Sequence, residues 1–130
     1  MGNIKSKIKI GPLGESIVCR FLSKNGYTII ERNYRKIWGE IDIVAEKNST
    51  VHFFEVKTVS REPNKFGGQG IRPEENLHKS KIQRLNRAIQ SYLQGHNIGP
   101  DRAWQLDAAL VWLDIAKKDA EIELLENIGL

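Results

Sequence analysis

The sequence predicts an α/β protein, a mixed β-sheet flanked by helices in the order helix, three strands, helix, two strands. Three observations carry this. Two stretches repeat their apolar side chains at helical spacing, and a glycine, Gly26 or Gly95, follows each. Five other runs are rich in β-branched and aromatic residues. A helix between the third and fourth strands implies a parallel pair, whereas three consecutive strands include antiparallel ones.

Along the chain, Ile4 to Ile10 alternate apolar and basic residues and read as a flexible basic arm over residues 1–10, rather than an edge strand. Residues 11–130 read as one domain. Gly11-Pro12-Leu13-Gly14 leads into a first helix that runs to Asn25 on the stripe Leu13, Ile17, Val18, Phe21 and Leu22. Glu15 falls at the edge of that apolar arc. Strands are expected at Tyr27–Tyr34, Gly39–Glu46 and Val51–Val59, the last two joined through the turn residues Lys47-Asn48-Ser49-Thr50. From about 60 to 77 no period is visible, and Gly67, Gly68 and Gly70 suggest a long loop. His78–Leu93 is the second helix, with Lys81 at the margin of its apolar stripe and Arg84 and Arg87 further out. Trp104–Leu113 and Ile122–Leu125 complete the sheet through a hairpin at Lys117-Lys118-Asp119.

The chain has 130 residues, 40% hydrophobic and 28% charged, which are values of a folded domain. The net charge of +4 permits a polyanionic partner without demanding one. A single cysteine, Cys19, excludes an internal disulfide and a cysteine-based zinc site. Without an apolar leader or a membrane-length apolar run, the chain is expected in the reducing cytoplasm, with no membrane partner.

The chemistry concentrates on one strand. In Val51-His52-Phe53-Phe54-Glu55-Val56-Lys57-Thr58, Glu55 and Lys57 point to the same face of an otherwise apolar run. An acid-x-lysine pair is a weak signal alone. With 16 acids and 12 lysines, chance gives about 1.5 such pairs. Context lifts it, since burying these charges is costly unless something pairs or uses them. A plain ion pair would satisfy that requirement. On the neighbouring strand, Asp42 interrupts the apolar run Ile41-Asp42-Ile43-Val44-Ala45, with Ile41 and Ile43 expected on the opposite face. A hairpin would bring Asp42 and Glu55 together, and two such carboxylates repel unless a cation lies between them. Oxygen-rich sites suit Mg²⁺ or Mn²⁺, which activate water and neutralise charge on a phosphoryl oxygen. Lys57 stands where it can orient the attacking water or stabilise the transition state. Glu15 is a candidate further ligand. Glu40, two residues before Asp42, reads as a solvated acid at the strand's start.

At these residues the chain resembles a known group. Gly11-x-x-Gly14-Glu15, Arg32-Asn33-Tyr34-Arg35, Gly39-Glu40-Ile41-Asp42-Ile43-Val44-Ala45 and Phe54-Glu55-Val56-Lys57-Thr58 are similar to motifs of the YraN-like family of small bacterial proteins. The match continues through Lys81-x-x-Arg84-Leu85, Tyr92-Leu93 and Leu106-Asp107-Ala108. That family is placed in the PD-(D/E)XK nuclease superfamily, near archaeal Holliday-junction resolvases. The resemblance implies a restriction-endonuclease-like core. It also implies a metal-dependent endonuclease acting on DNA, branched DNA included, with a non-catalytic DNA-binding accessory protein as the alternative. By analogy Glu15, Asp42 and Glu55 are metal-site acids, the Val56 carbonyl completes the shell, and Lys57 is the catalytic lysine. Ile41 stands where the superfamily's name has proline. No small-molecule cofactor is implied, and a homodimer is left open.

Lys81 and Arg84 are the basic residues singled out for nucleic-acid phosphates. His52, His78 and His96 lack ligand spacing and are not expected to be catalytic. Trp38, Trp104 and Trp112 read as packing residues. Asp107 is expected to pair with a base such as Arg102 and is kept out of the metal set.

Overall fold

In the computed structural model, which describes residues 10–60 and 79–129, the two helical periods form α1, Ile10–Lys24, and α2, Lys79–Gly95. The expected basic arm up to Lys9, the glycine-rich segment with Arg61, Lys65 and Arg72, and His78 lie outside the described residues. Ile10, assigned above to the arm, instead opens α1. Pro12 is tolerated in the first helical turn because its missing N–H would have no partner there anyway. At the other end Gly26 adopts φ 91°, and the Tyr27 N–H returns to the Leu22 carbonyl at 3.0 Å.

Five strands follow the predicted order: β1, Thr28–Lys36; β2, Gly39–Lys47; β3, Thr50–Ser60; β4, Trp104–Asp114; and β5, Asp119–Leu125. They form one sheet in sequence order. β1–β2, β2–β3 and β4–β5 are antiparallel, and β3–β4 is parallel, with α2 in the crossover. The α/β fold class and element order are those expected.

A separate apolar cluster covers each face of the sheet. On one side Val18 and Leu22 of α1 meet Ile43, Ala45, Phe54, Ala109 and Val111. On the other, Leu85, Ala88, Ile89 and Tyr92 of α2 meet Ile41, Val44, Phe53 and Leu106. Each fully buried large side chain contributes roughly 1.5–3 kcal/mol. Ile41 and Ile43, expected on one face, therefore join opposite clusters. β2 stays paired with β1 on either side of Asp42, at Arg32–Ile43 and Tyr34–Ile41, so the break in alternation lies between these pairs, where Asn33 of β1 adopts φ 56°.

Two glycines let the helices approach the sheet. A Cβ on Gly14 would sit 1.9 Å from Thr58 Oγ1, and one on Gly39 would sit 2.8 Å from the Arg84 carbonyl oxygen. The Ile128 N–H donates to the Leu106 carbonyl at 2.8 Å, returning the C-terminal segment to the sheet. Among the described residues no helix is long and apolar enough to cross a membrane.

Gly14→Ala is expected to destabilise the protein by about 1–3 kcal/mol, because α1 and β3 must separate. Gly11→Ala, with nothing within 4 Å, is expected to be neutral or slightly stabilising. Urea unfolding of the two variants beside wild type measures both, and equal midpoints would refute the close approach at Gly14.

Candidate active site

The β2–β3 hairpin turns through Asn48 and Ser49, both at positive φ (51° and 67°), as a tight antiparallel connection prefers. From there the strands pair up to Ile43 and Phe54. One step further on, Asp42 and Glu55 occupy the next positions, and the regular pairing stops. The Val56 N–H donates to Asp42 Oδ2 at 2.8 Å instead of to a strand carbonyl. Asp42 is 8% exposed and Glu55 4%, and their carboxyl groups are in hydrogen-bond contact.

Burial and then the Glu55 charge push the Asp42 carboxyl up to about 8, against the pull of the Val56 N–H. At neutral pH Asp42 thus keeps a proton that a surface aspartate would lose. Two ammonium groups converge on the same Glu55 oxygen: Lys57 Nζ at 3.2 Å and Lys81 Nζ at 2.6 Å from Oε2. Burial, with Lys81 beside it, holds Lys57 below its ordinary range. Burial acts on Lys81 in the same direction, but its bonds to Glu55 and Lys57 outweigh it and raise the group.

These groups line an open cavity of about 300 Å³. Glu15 reaches its wall from α1, and its charge is felt at Asp42. Burial raises the Glu15 carboxyl, while Arg32, with Nη2 at 3.8 Å from Oε1, opposes the shift. Glu15 does not close on the other two acids. Among the described residues no three His, Cys, Asp or Glu side chains are gathered as a metal ion would require. Of the three expected acids the structure thus joins two and leaves the third as a neighbour.

Arg84 is exposed at the cavity's edge, where a phosphate contact is open to it. Lys81 is not such a surface residue, because its ammonium lies on Glu55. Sequence periodicity put Lys81 at a helix margin without saying what that margin faced. Glu40 lies beside Arg35 at 3.2 Å with its side chain about half exposed, as expected for a solvated acid. Asp107 pairs with His52, not with Arg102: His52 Nδ1 donates to Oδ2 at 2.7 Å, and Arg102 binds Glu46. The Gln105 amide and the Asn127 N–H donate to Asp107 Oδ1 at 2.8 and 3.0 Å. A fully buried aspartate with three donors is satisfied by the protein itself.

The Asp42–Glu55 pair fits a hard divalent cation by its donor chemistry. Mg²⁺ is commonly held by one or two carboxylates and keeps several waters, so a third acid is not demanded. A bound cation would also take the place of the proton that Asp42 keeps.

The family model described as "Uncharacterised protein family UPF0102" matches residues 14–113. The chain belongs to this family. UPF0102 is the YraN-like group that the motifs resemble. A UPF0102 protein of Helicobacter hepaticus is 40% identical over 120 residues, covering 92% of this chain and 94% of its own. UPF0102 proteins of Alkaliphilus oremlandii and Moorella thermoacetica are 37% and 36% identical, over 92% and 90% of this chain and 96% and 92% of theirs. The UPF0102 match includes Glu15, Asp42, Glu55, Lys57, Lys81 and Arg84 and leaves β5 outside.

The folded chain holds the Asp42 proton more tightly than the unfolded chain does. The stability this contributes is complete below the ordinary value of 3.8 and is lost as pH rises to about 8. Metal-free wild type should therefore lose stability across that window relative to Asp42→Asn, which carries no titrating carboxyl there. Urea midpoints measured through the window test this, and parallel pH profiles would contradict it.

Proposed function

We propose that this protein is a Mg²⁺- or Mn²⁺-dependent endonuclease that hydrolyses DNA phosphodiester bonds, structured or branched DNA included. The observation that carries the reading is the buried Asp42–Glu55 pair beside Lys57 at the point where β2 and β3 stop pairing. Burying two carboxyl groups side by side is costly unless protons or cations compensate them. The resemblance to PD-(D/E)XK nucleases supplies the same residues in the same roles.

Asp42, Glu55 and the Val56 carbonyl would hold the cation. When bound, it supplies Lewis-acid charge stabilisation and a more acidic water. The chain's own groups do the rest. The Val56 N–H fixes the Asp42 carboxyl group beside Glu55 at the cavity wall. Lys57, held below its ordinary range by burial, is suited to exchanging a proton with the attacking water or to donating to a phosphoryl oxygen. Arg84 at the rim offers charge to an adjacent phosphate. Glu15, anchored near Arg32, adds negative potential at Asp42 and can take a water of the cation's shell.

One observation favours a second reading, a DNA-binding accessory protein without catalysis. Lys81 already neutralises Glu55 at 2.6 Å, and a cation must compete with it.

Labelled single-stranded, duplex, flap and four-way-junction DNA incubated with Mg²⁺ or Mn²⁺ separates the two. Wild type is expected to cut, and Glu55→Ala, purified identically, to lose activity by at least about 10²-fold while keeping its fold. Mn²⁺ should raise the melting temperature of wild type and not that of Glu55→Ala. Equal cleavage by both proteins would sink the catalytic assignment. DNA binding with no cleavage and no metal effect would establish the accessory reading.

A further inference from the structure

The two tight hairpins on either side of β2 obey different rules. The Asn48–Ser49 turn uses the residue chemistry and the positive φ values that a two-residue connection favours. The β1–β2 connection is equally short, since Lys36 pairs with Gly39, but its two residues are Ile37 and Trp38. Neither has positive φ. A β-branched residue and an indole are poor turn formers, and a turn without positive φ splays the strands it joins. Local stability does not account for the choice. Local rules are broken most often where a residue serves function.

Ile37 is 98% exposed. The other exposed large hydrophobics among the described residues, Leu13, Ile30 and Ile115, are 38–46% exposed and so remain partly packed. Nothing among the described residues covers Ile37. The tip is nevertheless braced. Trp38 lies under the Arg87 guanidinium at 5.9 Å, and Gly39 packs against the α2 backbone at Arg84. Arg35 and Lys36 precede the tip, so a bare apolar point stands among four cationic side chains. Gly39 and Glu40, the next two residues, belong to the wall of the acid cavity.

We infer that this tip is a nucleic-acid contact that selects unstacked DNA: Ile37 enters between base steps at a branch or distortion while Arg35, Lys36, Arg84 and Arg87 meet the flanking phosphates. An apolar side chain inserted at a base step opens or kinks the duplex, and opening is least costly where stacking is already interrupted. Cationic neighbours fit phosphate and argue against an apolar protein partner. The inference rests on the DNA reading above and names the substrate feature that its site would prefer. The short distance along the chain to Gly39 and Glu40 puts the inserted step beside the cavity where the scissile phosphate would lie.

The test is fluorescence anisotropy of the full chain without divalent metal, on a four-way junction and a duplex of equal length, comparing wild type with Ile37→Ser. A second readout is 2-aminopurine placed at the branch. Because Ile37 is almost fully exposed, its variant should unfold at the wild-type temperature. Junction affinity is expected to fall about tenfold, the effect of losing one buried isoleucine side chain, with duplex affinity unchanged within about twofold. The 2-aminopurine signal should rise with wild type and not with the variant. Wild-type junction binding by Ile37→Ser, or an equal loss on both DNAs, overturns the inference and leaves the nuclease reading standing. A change from dimer to monomer in sedimentation with DNA affinity intact assigns the tip to a protein contact and overturns it too. If wild type binds neither DNA, the DNA reading itself falls and takes the inference with it.

Discussion

Two carboxyl groups buried side by side at one cavity wall are the constraint around which the rest of this molecule is arranged. Asp42 and Glu55 stand on adjacent strands one step past the last regular pair, largely buried at the wall of the cavity. A proton on Asp42, the Val56 N–H and two lysines compensate their charge in the metal-free protein. The compensating groups come from β3, with the Val56 N–H and Lys57, and from α2, with Lys81, so the site depends on how the helix seats on the sheet. Gly39 allows β2 to pass beneath α2, which brings Lys81 within reach of Glu55, and Gly14 allows α1 to seat against β3 behind Lys57. These contacts are structural in form, but what they stabilise is a charge arrangement that no packing argument requires.

The second buried aspartate makes the contrast clear. Asp107 is more deeply buried than Asp42, yet three donors from His52, Gln105 and Asn127 complete its hydrogen bonding and tie the C-terminal segment to β4. Such a group is a structural anchor. Asp42 has one backbone donor and faces another acid. Burial alone therefore does not mark the functional carboxylate. Incomplete satisfaction by the protein does.

Much of this was legible in the sequence for physical reasons. A charge inside an apolar strand is conspicuous, so Asp42, Glu55 and Lys57 could be picked out, and period-two alternation put the last two on one face. Gly26 marked a helix end because few other residues tolerate the left-handed conformation that it adopts, whereas α2 runs through Gly95 and the left-handed position beyond it falls to Asn97. Features set by three-dimensional packing were not legible. The end of the β2–β3 pairing depends on where the strands diverge, and the split of Ile41 and Ile43 between the two clusters depends on an irregularity between their pairs with β1, at Asn33 and Asp42. The landing of Lys81 on Glu55 depends on how α2 lies across the sheet. The His52–Asp107 pair joins residues whose neighbourhood only the parallel β3–β4 register creates. The turn at Ile37–Trp38 carried no turn signal at all, and that silence was itself informative.

The strand bearing Glu55 acquires its two neighbours on different terms. β2 is tethered to it by a two-residue turn, while β4 arrives from beyond α2, and residues such as His52 and Asp107 that meet across the register lie 55 positions apart. Closing a short hairpin costs little chain entropy, and long-range parallel pairing is the slower event. A newly formed β2–β3 hairpin thus carries its two acids in open water, where solvent screens their repulsion. They become a burden only when α2 and β4 close over them, and that same closure delivers Lys81. The helix that helps to enclose the charges is also the one that carries their second counter-charge, so burial and compensation of the acid pair belong to the same packing.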